Sequence, residues 1–319
     1  ILVNNFYAKR NLMSVSKVIV PCAGLGTRFL PWTKSIPKEM IPLLDKPAIH
    51  YIVEEAVKAA MKHMVIITNT HKPALTNYFD ADVALEMALK EKGKEELLSS
   101  IENLRTKLQL TYVNQSEPLG LGHAVGCAKH IVGKEYFGVM LPDDIIINQR
   151  GALDQLLRVA RQEGGSVIAV QEVPLDCVSA YGVIGIKKQI TNHLFQVSNL
   201  VEKPKQVDAP SQLAIVGRYV LSHKIFPALE EMGTYATGEI QLTDAISTMM
   251  HKGEKVYAFK VEGTRYDTGN VLGWLKTVVG MALQHPEYGD EIKSFLEDSQ
   301  GTNSFLYNPS KTISHLSSE

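Results

Sequence analysis

The strongest constraint on this chain is an alternation of two local patterns. Short apolar, β-branched runs at Val18–Cys22, Met64–Thr68, Leu108–Val113, Phe137–Leu141 and Ser166–Gln171 are separated by stretches of helical periodicity. Runs with no polar face read as strands covered on both sides, as in a parallel sheet. Between them, Pro47–Met61 starts with Pro in its first turn and repeats Ile49, Ile52, Val53, Ala56, Val57 and Ala60 at helical spacing. Val83–Leu104, read as one long helix, then Leu119–His130 and Ala152–Gln162 supply the other crossovers. This order predicts an α/β fold with a Rossmann-like, doubly wound sheet, whose ligand crevice lies beyond the carboxyl ends of the strands.

The rhythm changes after residue 172. Val183–Ile186, Gln196–Val201 and Leu213–Leu221 are strand patterns with little helix between them, so a mixed sheet with a small antiparallel insertion is expected. C-terminal helices follow at Gly238–His251 and Gly269–His285, then a tail rich in Ser, Thr, Asn and Pro from Ser299. No linker or repeat divides the chain. The expected organisation is a leader or added extension over 1–16, one α/β domain over 17–284, and a C-terminal extension over 285–319.

Composition narrows the function by exclusion. Lys and Arg number 33 against 34 Asp and Glu, a net charge of −1 that argues against a nucleic-acid partner or an anionic membrane. No apolar run approaches the roughly 18 residues of a membrane span. The cysteines (Cys22, Cys127, Cys177) are far apart and lack zinc spacing, which fits a reducing, cytoplasmic setting.

Charge is nevertheless concentrated locally. Directly after the first strand runs Pro21-Cys-Ala-Gly24-Leu-Gly26-Thr27-Arg28-Phe29-Leu30-Pro31, continuing to Pro37-Lys38-Glu39-Met40. Glycines here let backbone N–H groups approach an anion. From Lys17 to Lys46 there are five cations and two anions, a local excess of three positive charges. A dinucleotide fingerprint is excluded, because Phe29 replaces its third glycine and the second strand ends Thr68-Asn69-Thr70 without an acid. No Gly-Lys-Ser/Thr phosphate loop is present either.

Further along, Leu141-Pro142-Asp143-Asp144 closes the fourth strand. A carboxylate there can hold Mg²⁺ against substrate phosphates; equally, one of the pair can cap the turn that ends the strand. Gln115, in Gln115-Ser-Glu-Pro118-Leu-Gly120-Leu-Gly122-His123, carries an amide able to pair with both a donor and an acceptor of a pyrimidine edge. Glu202 beside Lys203 suits a sugar hydroxyl and a sugar phosphate, or a surface charge pair.

Taken in order, eight segments closely resemble the bacterial UTP–glucose-1-phosphate uridylyltransferase family of sugar-nucleotide pyrophosphorylases. They are Gly24-Leu-Gly-Thr-Arg-Phe-Leu-Pro, Ile36-Pro-Lys-Glu-Met-Ile-Pro-Leu with Asp45-Lys-Pro, Gly120-Leu-Gly-His-Ala, Leu141-Pro-Asp-Asp, Val201-Glu-Lys-Pro, Gly217-Arg-Tyr-Val-Leu, Gly238-Glu-Ile-Gln-Leu-Thr-Asp and Arg265-Tyr-Asp-Thr-Gly. The resemblance implies transfer of UMP from UTP to α-D-glucose 1-phosphate, with Mg²⁺ and without a covalent intermediate. It implies that Ala23, Gly24, Gln115 and Gly120 hold the uracil and that Arg28 and Lys38 bind the triphosphate beside the Gly26-Thr27 turn. Asp143 would ligate the metal, with Asp267 as a second ligand. Gly182, Glu202 and Lys203 would hold glucose 1-phosphate. A homodimer or homotetramer is expected. The rival readings are a thymidylyltransferase of the same fold and a non-catalytic, sugar-nucleotide-binding regulatory relative. Two residues depart from the family pattern: Trp32 replaces a small residue, and Asn114 replaces Arg.

Overall fold

The computed structural model describes residues 13–235 and 238–301. The leader as far as residue 12 and the tail beyond residue 301 lie outside the described residues. At the centre is β1 (Val15–Pro21). Its alternating side chains serve both faces, Val18 and Val20 joining one core cluster and Ile19 the other. After β1 come three short 3-10 turns at Thr27–Phe29, Trp32–Lys34 and Lys38–Met40. A small hairpin of β2 (Pro42–Leu43) and β3 (Lys46–Pro47) then leads into α1 (Ala48–Lys58).

Next along the chain are β4 (His63–Thr68), α2 (Pro73–Phe79), α3 (Val83–Glu91), α4 (Ser99–Lys107) and β5 (Gln109–Asn114). α5 (Leu121–Gly126) and α6 (Lys129–Val132) precede β6 (Tyr136–Met140), β7 (Asp144–Ile147), α7 (Ala152–Glu163) and β8 (Ser166–Glu172). The second half contains β9 (Gly182–Gln189), β10 (Leu194–Glu202), β11 (Leu213–Leu221), α8 (Ile225–Tyr235) and α9 (Leu242–His251). It ends with β12 (Val256–Lys260), β13 (Thr264–Asp267), α10 (Val271–Leu283) and α11 (Gly289–Gly301).

Nine strands make one mixed sheet in the order β5-β4-β1-β6-β11-β8-β12-β10-β9. The β5-β4-β1-β6 half is parallel, as the apolar runs predict. β11 then lies antiparallel to both β6 and β8, and β9 and β10 form an antiparallel pair at the far edge. β8 is therefore parallel on one side only, to β12. Burial on both faces made its sequence look wholly parallel, and burial carries no information about the direction of a neighbour. β7 and β13 form a separate antiparallel ribbon.

Several sequence expectations change. The long helix over Val83–Leu104 is two helices, broken at Gly93, whose φ of 63° lies outside the helical region. The helix expected from Leu119 starts at Leu121, because Gly120 has a φ of 97°. The helix expected from Gly238 starts at Leu242. Helix α8 and strand β12 had no clear signature, being a short amphipathic segment and a five-residue run between lysines.

One buried ion pair ties the layers together under the carboxyl ends of the strands. The Arg218 side chain on β11 is fully buried and donates from Nε and Nη2 to the Glu55 carboxylate of α1 at 2.8–3.2 Å. Its Nη1 donates to the carbonyls of Leu141 at 3.1 Å and Gly217 at 2.9 Å. Glu55 Oε1 also accepts from the Leu153 backbone N–H at 2.9 Å, in the first turn of α7. Replacing Glu55 with Gln leaves a buried guanidinium short of its counter-charge, and should cost about 3–5 kcal/mol of stability in urea denaturation.

On the same helix, Glu54 accepts hydrogen bonds from His50 at 3.0 Å and Lys46 at 3.1 Å. The His50 hydrogen bond, against the opposing effect of burial and with help from Lys46, holds the Glu54 carboxyl down to about 2. Its contribution to stability is therefore complete above its ordinary value of 4.5 and is lost as pH falls towards about 2. The urea midpoint of Glu54→Gln should fall less steeply than that of the parent over this range.

Candidate active site

The loop leaving β1 is held from behind. Cys22 N–H donates to the Ile67 carbonyl at 2.6 Å, extending the pairing with β4. The Cys22 and Ala23 carbonyls are taken by Lys72 Nζ at 2.6 Å and Asn69 Nδ2 at 2.9 Å. Lys72 also donates to both oxygens of Glu39, at 2.9 and 3.2 Å, and both side chains are buried. Burial pushes the Glu39 carboxyl up, opposed by Lys72 and Lys38. This pair fastens the Pro-Lys-Glu-Met turn to the loop after β1. Gly26, at a φ of 67°, turns the chain into the Thr27–Phe29 turn, and Thr33 Oγ1 donates to its carbonyl at 2.8 Å.

A cavity of about 420 Å³ opens over this loop. Ala23, Gly24, Gly26, Thr27, Lys38, Gln115, Gly120 and Asp143, all singled out from the sequence, line it. Lys38 Nζ lies 2.7 Å from Asp143 Oδ2, and both side chains keep some access to solvent. Burial works against the Lys38 charge, but Asp143 and Glu39 outweigh it and hold the ammonium above its ordinary range. Burial opposes the Asp143 charge as well, and Lys38, with Arg28 further off, keeps that carboxyl below its ordinary range. Both groups are therefore charged at neutral pH.

Asp144 has a different task from Asp143. It accepts from Gly217 N–H at 2.9 Å and from Arg265 Nε at 2.5 Å, joining β11 and β13. Burial pushes its carboxyl up, against the pull of Arg265. The adjacent Asp143 uses its main-chain carbonyl for structure, accepting from Thr268 N–H at 2.7 Å and Thr268 Oγ1 at 2.9 Å. Asp143 thus lines the cavity, whereas Asp144 is tied to two neighbouring strands.

Gln115 and Gly120 are arranged differently from their sequence reading. Gln115 Nε2 donates to the Gly120 carbonyl at 3.3 Å and lies 2.9 Å from His123 Nδ1. The amide nitrogen is engaged within the protein, so its donor is not available to a base. Gly120 is needed for its φ of 97° and because a Cβ would meet the Ile240 carbonyl at 2.9 Å. Its missing side chain makes room for the Ile240 segment.

Gly182, Glu202 and Lys203, also singled out from the sequence, form a second cluster outside the lining of this cavity. Glu202, at the end of β10, pairs in register with Gly182. Its Oε2 accepts from Thr243 Oγ1 at 2.6 Å in the first turn of α9, and its Oε1 lies 3.8 Å from Lys203 Nζ. A Cβ on Gly182 would come within 3.1 Å of Glu202 Oε2. Lys203 has a φ of 45°, a strained value for a residue with a Cβ, and its N–H donates to the Tyr181 carbonyl at 3.0 Å. Arg265 links the clusters, lying over the Tyr181 ring at 5.2 Å and 3.9 Å from Asp267.

Arg28 and Asp267 do not line the cavity, yet they converge beside Asp143. Asp267 Oδ1, Asp143 Oδ2 and Arg28 Nη1 lie 3.0, 3.6 and 3.8 Å from the point where a Gly269 Cβ would sit. Of the unusual residues, Trp32 packs edge-on against Trp274 of α10, with ring centroids 5.0 Å apart. Asn114 ends β5 and reaches Ser116 Oγ at 3.4 Å. Sequence reasoning missed Lys72, Thr243, Arg265 and the pairing of His123 with Gln115. Thr243 and Arg265 stand within recognised segments, whereas Lys72 carries no local signal.

A family model for nucleotidyl transferases matches residues 17–280. A curated UTP–glucose-1-phosphate uridylyltransferase of Staphylococcus epidermidis is 48% identical over 286 residues, spanning 90% of this chain and 99% of the relative. The chain belongs to the UTP–glucose-1-phosphate uridylyltransferase family. Two solved structures place this nucleotidyl transferase among close structural neighbours. A UTP-bound UDP-glucose pyrophosphorylase from Acinetobacter baumannii superposes with a TM-score of 0.82 at 39% identity, covering 89% of this chain and 99% of that one. A UDP-glucose pyrophosphorylase complexed with UDP-glucose gives a TM-score of 0.77 at 39% identity, covering 85% and 100%.

In this nucleotidyl transferase the neighbouring aspartates should separate cleanly by stability. Asp144→Asn leaves the half-buried Arg265 facing a neutral group and should cost about 3 kcal/mol in chemical denaturation. Asp143→Asn, at a partly exposed pair, should change stability by less than about 1 kcal/mol.

Proposed function

We propose that this nucleotidyl transferase moves the uridylyl group of UTP onto α-D-glucose 1-phosphate, giving UDP-glucose and pyrophosphate. The observation that carries the reading is the Lys38–Asp143 pair, 2.7 Å apart and facing the cavity. Its weight comes from a chain 48% identical to a relative named for this reaction. In the reaction a phosphate oxygen of glucose 1-phosphate attacks the α-phosphorus of UTP. One P–O bond forms, the bond to the α–β bridging oxygen breaks, and its electron pair leaves with pyrophosphate. The attacking phosphate is already largely ionised at neutral pH, so no side chain has to remove a proton. No covalent intermediate on the protein is required.

The chain's contribution is orientation and positive charge. Gly24, Gly26 and Thr27 border the space for the triphosphate, and Lys38 and Arg28 supply cations to it. Lys38 would exchange its carboxylate partner for a phosphate oxygen, an anion that favours the ammonium as Asp143 does. Ala23, Gly24, Gly120 and Gln115 would hold the uracil. Glu202, steadied by Thr243, would accept from a sugar hydroxyl beside Gly182, and Lys203 would meet the sugar phosphate.

Asp143 and Asp267 would hold Mg²⁺. Their oxygens converge on one side of Gly269, and hard carboxylate donors suit this ion. Among the described residues no group of three or more His, Cys, Asp or Glu could hold a metal, which fits an ion sharing oxygens with substrate and water. When bound, the ion would neutralise phosphate charge and align the triphosphate.

The exposed apolar face of α10, with Leu272, Leu275 and Val279, supports a homodimer or homotetramer. No helix of the described residues is long and apolar enough to cross a membrane, and we place the enzyme in the cytoplasm. The parallel half of the sheet is read as a Rossmann-like, doubly wound unit, and the β9–β10 pair as a small insertion.

The test is to incubate the protein with UTP, glucose 1-phosphate and Mg²⁺ and to measure pyrophosphate and UDP-glucose. Asp143→Ala or Lys38→Ala should lower turnover by about 10²–10³-fold with the fold intact. Lys203→Ala should raise the Michaelis constant for glucose 1-phosphate and leave UTP binding unchanged. Near-parental turnover in the first two variants would refute their roles.

A further inference from the structure

We propose that His123 is a positioning residue that turns the Gln115 amide so that only its carbonyl oxygen is offered to the nucleotide. The cavity thereby selects bases that carry an N3–H, uracil or thymine, against cytosine. The inference rests on the uridine-nucleotide reading of the cavity and adds the means by which the base is told apart.

The orientation of the amide follows from its surroundings. Gln115 is buried to 7% exposure and lines the cavity beside Gly120. A carbonyl oxygen can only accept, so the group 3.3 Å from the Gly120 carbonyl must be the amide nitrogen. The same nitrogen lies 2.9 Å from His123 Nδ1. With one hydrogen directed to Gly120, the other meets the ring nitrogen, which must then be the unprotonated acceptor with its proton on Nε2. Both hydrogens of Nε2 are used, and Oε1 is left to the cavity.

The two partners are themselves held in place. The Gly120 carbonyl also accepts from Ala124 N–H at 3.1 Å in the first turn of α5. Gly122 N–H donates to the Ile240 carbonyl at 2.8 Å, and Ile240 N–H donates back to Leu119 at 2.7 Å. His123 follows directly on this doubly tied segment, so its ring faces Gln115 from a rigid base. An isolated Gln could rotate its amide to suit either pyrimidine edge; this one is clamped at its nitrogen. Uracil and thymine donate from N3–H to such an oxygen, whereas cytosine presents an unprotonated N3 that also accepts. Two acceptors then face each other in a buried site, an arrangement costly enough to discriminate.

Two variants test this, with titration calorimetry of UTP, dTTP and CTP and with Michaelis constants for both substrates. His123→Ala removes the acceptor and frees the amide to turn. It should reduce the preference for UTP over CTP by about tenfold, the scale of one unpaired buried donor. The preference between UTP and dTTP and the Michaelis constant for glucose 1-phosphate should not move. His123→Asn places an oxygen near the position of Nδ1 and should keep the UTP-over-CTP preference within about threefold of the parent, as one retained hydrogen bond would.

A parent that makes no UDP-glucose yet binds UTP in preference to CTP, with the loss in His123→Ala, refutes the reaction and supports the inference. Turnover of UTP with an unchanged UTP-to-CTP ratio in His123→Ala overturns the inference and leaves the reaction standing. A parent that binds CTP as tightly as UTP also overturns it. Equal weakening of all three nucleotides in both variants would reduce His123 to a packing role.

Discussion

Arg218 is a guanidinium without access to water, and its bonds join α1 and the segment after β6 to β11. A buried charge of this kind is tolerated only when its counter-ion and its remaining N–H groups are all engaged. Glu55 answers from α1, and the carbonyls of Leu141, beside the cavity, and of Gly217, within β11 itself, answer as well. Because Glu55 also receives the first-turn N–H of Leu153, one ion pair sets α1, α7 and β11 against the segment that presents Asp143. The position of that carboxylate depends on a charge pair that lies outside the cavity it lines.

A division of tasks between consecutive residues recurs at three pairs, two of them at the cavity. Glu39 is buried against Lys72 while Lys38 faces the cavity. Asp144 is buried against Arg265 while Asp143 faces the cavity. Glu202 is steadied by Thr243 while Lys203 extends into solvent. The pairs sit in different backbone settings, a 3-10 turn for Lys38 and Glu39, the start of β7 for Asp144 and a φ of 45° at Lys203, and in each the hydrogen-bonded member fixes the backbone that carries its neighbour. This explains how polar loops at the end of a sheet keep flexible cations in place: the rigid member of each pair holds the backbone.

Much of the architecture was readable because burial on both faces leaves a continuous β-branched run, and Val18–Cys22 and Met64–Thr68 carry that signal plainly. The errors are equally physical. Gly93 interrupts a helix whose periodicity on either side looks continuous, since a single residue with positive φ alters no hydrophobic pattern. The antiparallel direction of β11 was expected, but its place between β6 and β8 in the middle of the sheet was hidden, because strand order depends on long-range pairing that leaves no local pattern. At the site, glycines, cations and aspartates were legible as types with ligand chemistry.

What the amino-acid order determined by itself was local: where apolar runs must become strands, where glycine permits a turn, and which segments match a family in order and spacing. The tertiary structure alone decided which of Asp143 and Asp144 lines the cavity, that Lys72 stands behind Glu39, and that His123 claims the amide nitrogen of Gln115. These depend on partners up to 121 residues apart, as between Asp144 and Arg265. The free energy of a buried polar group is set by what it meets in space, and sequence neighbours carry no record of that meeting.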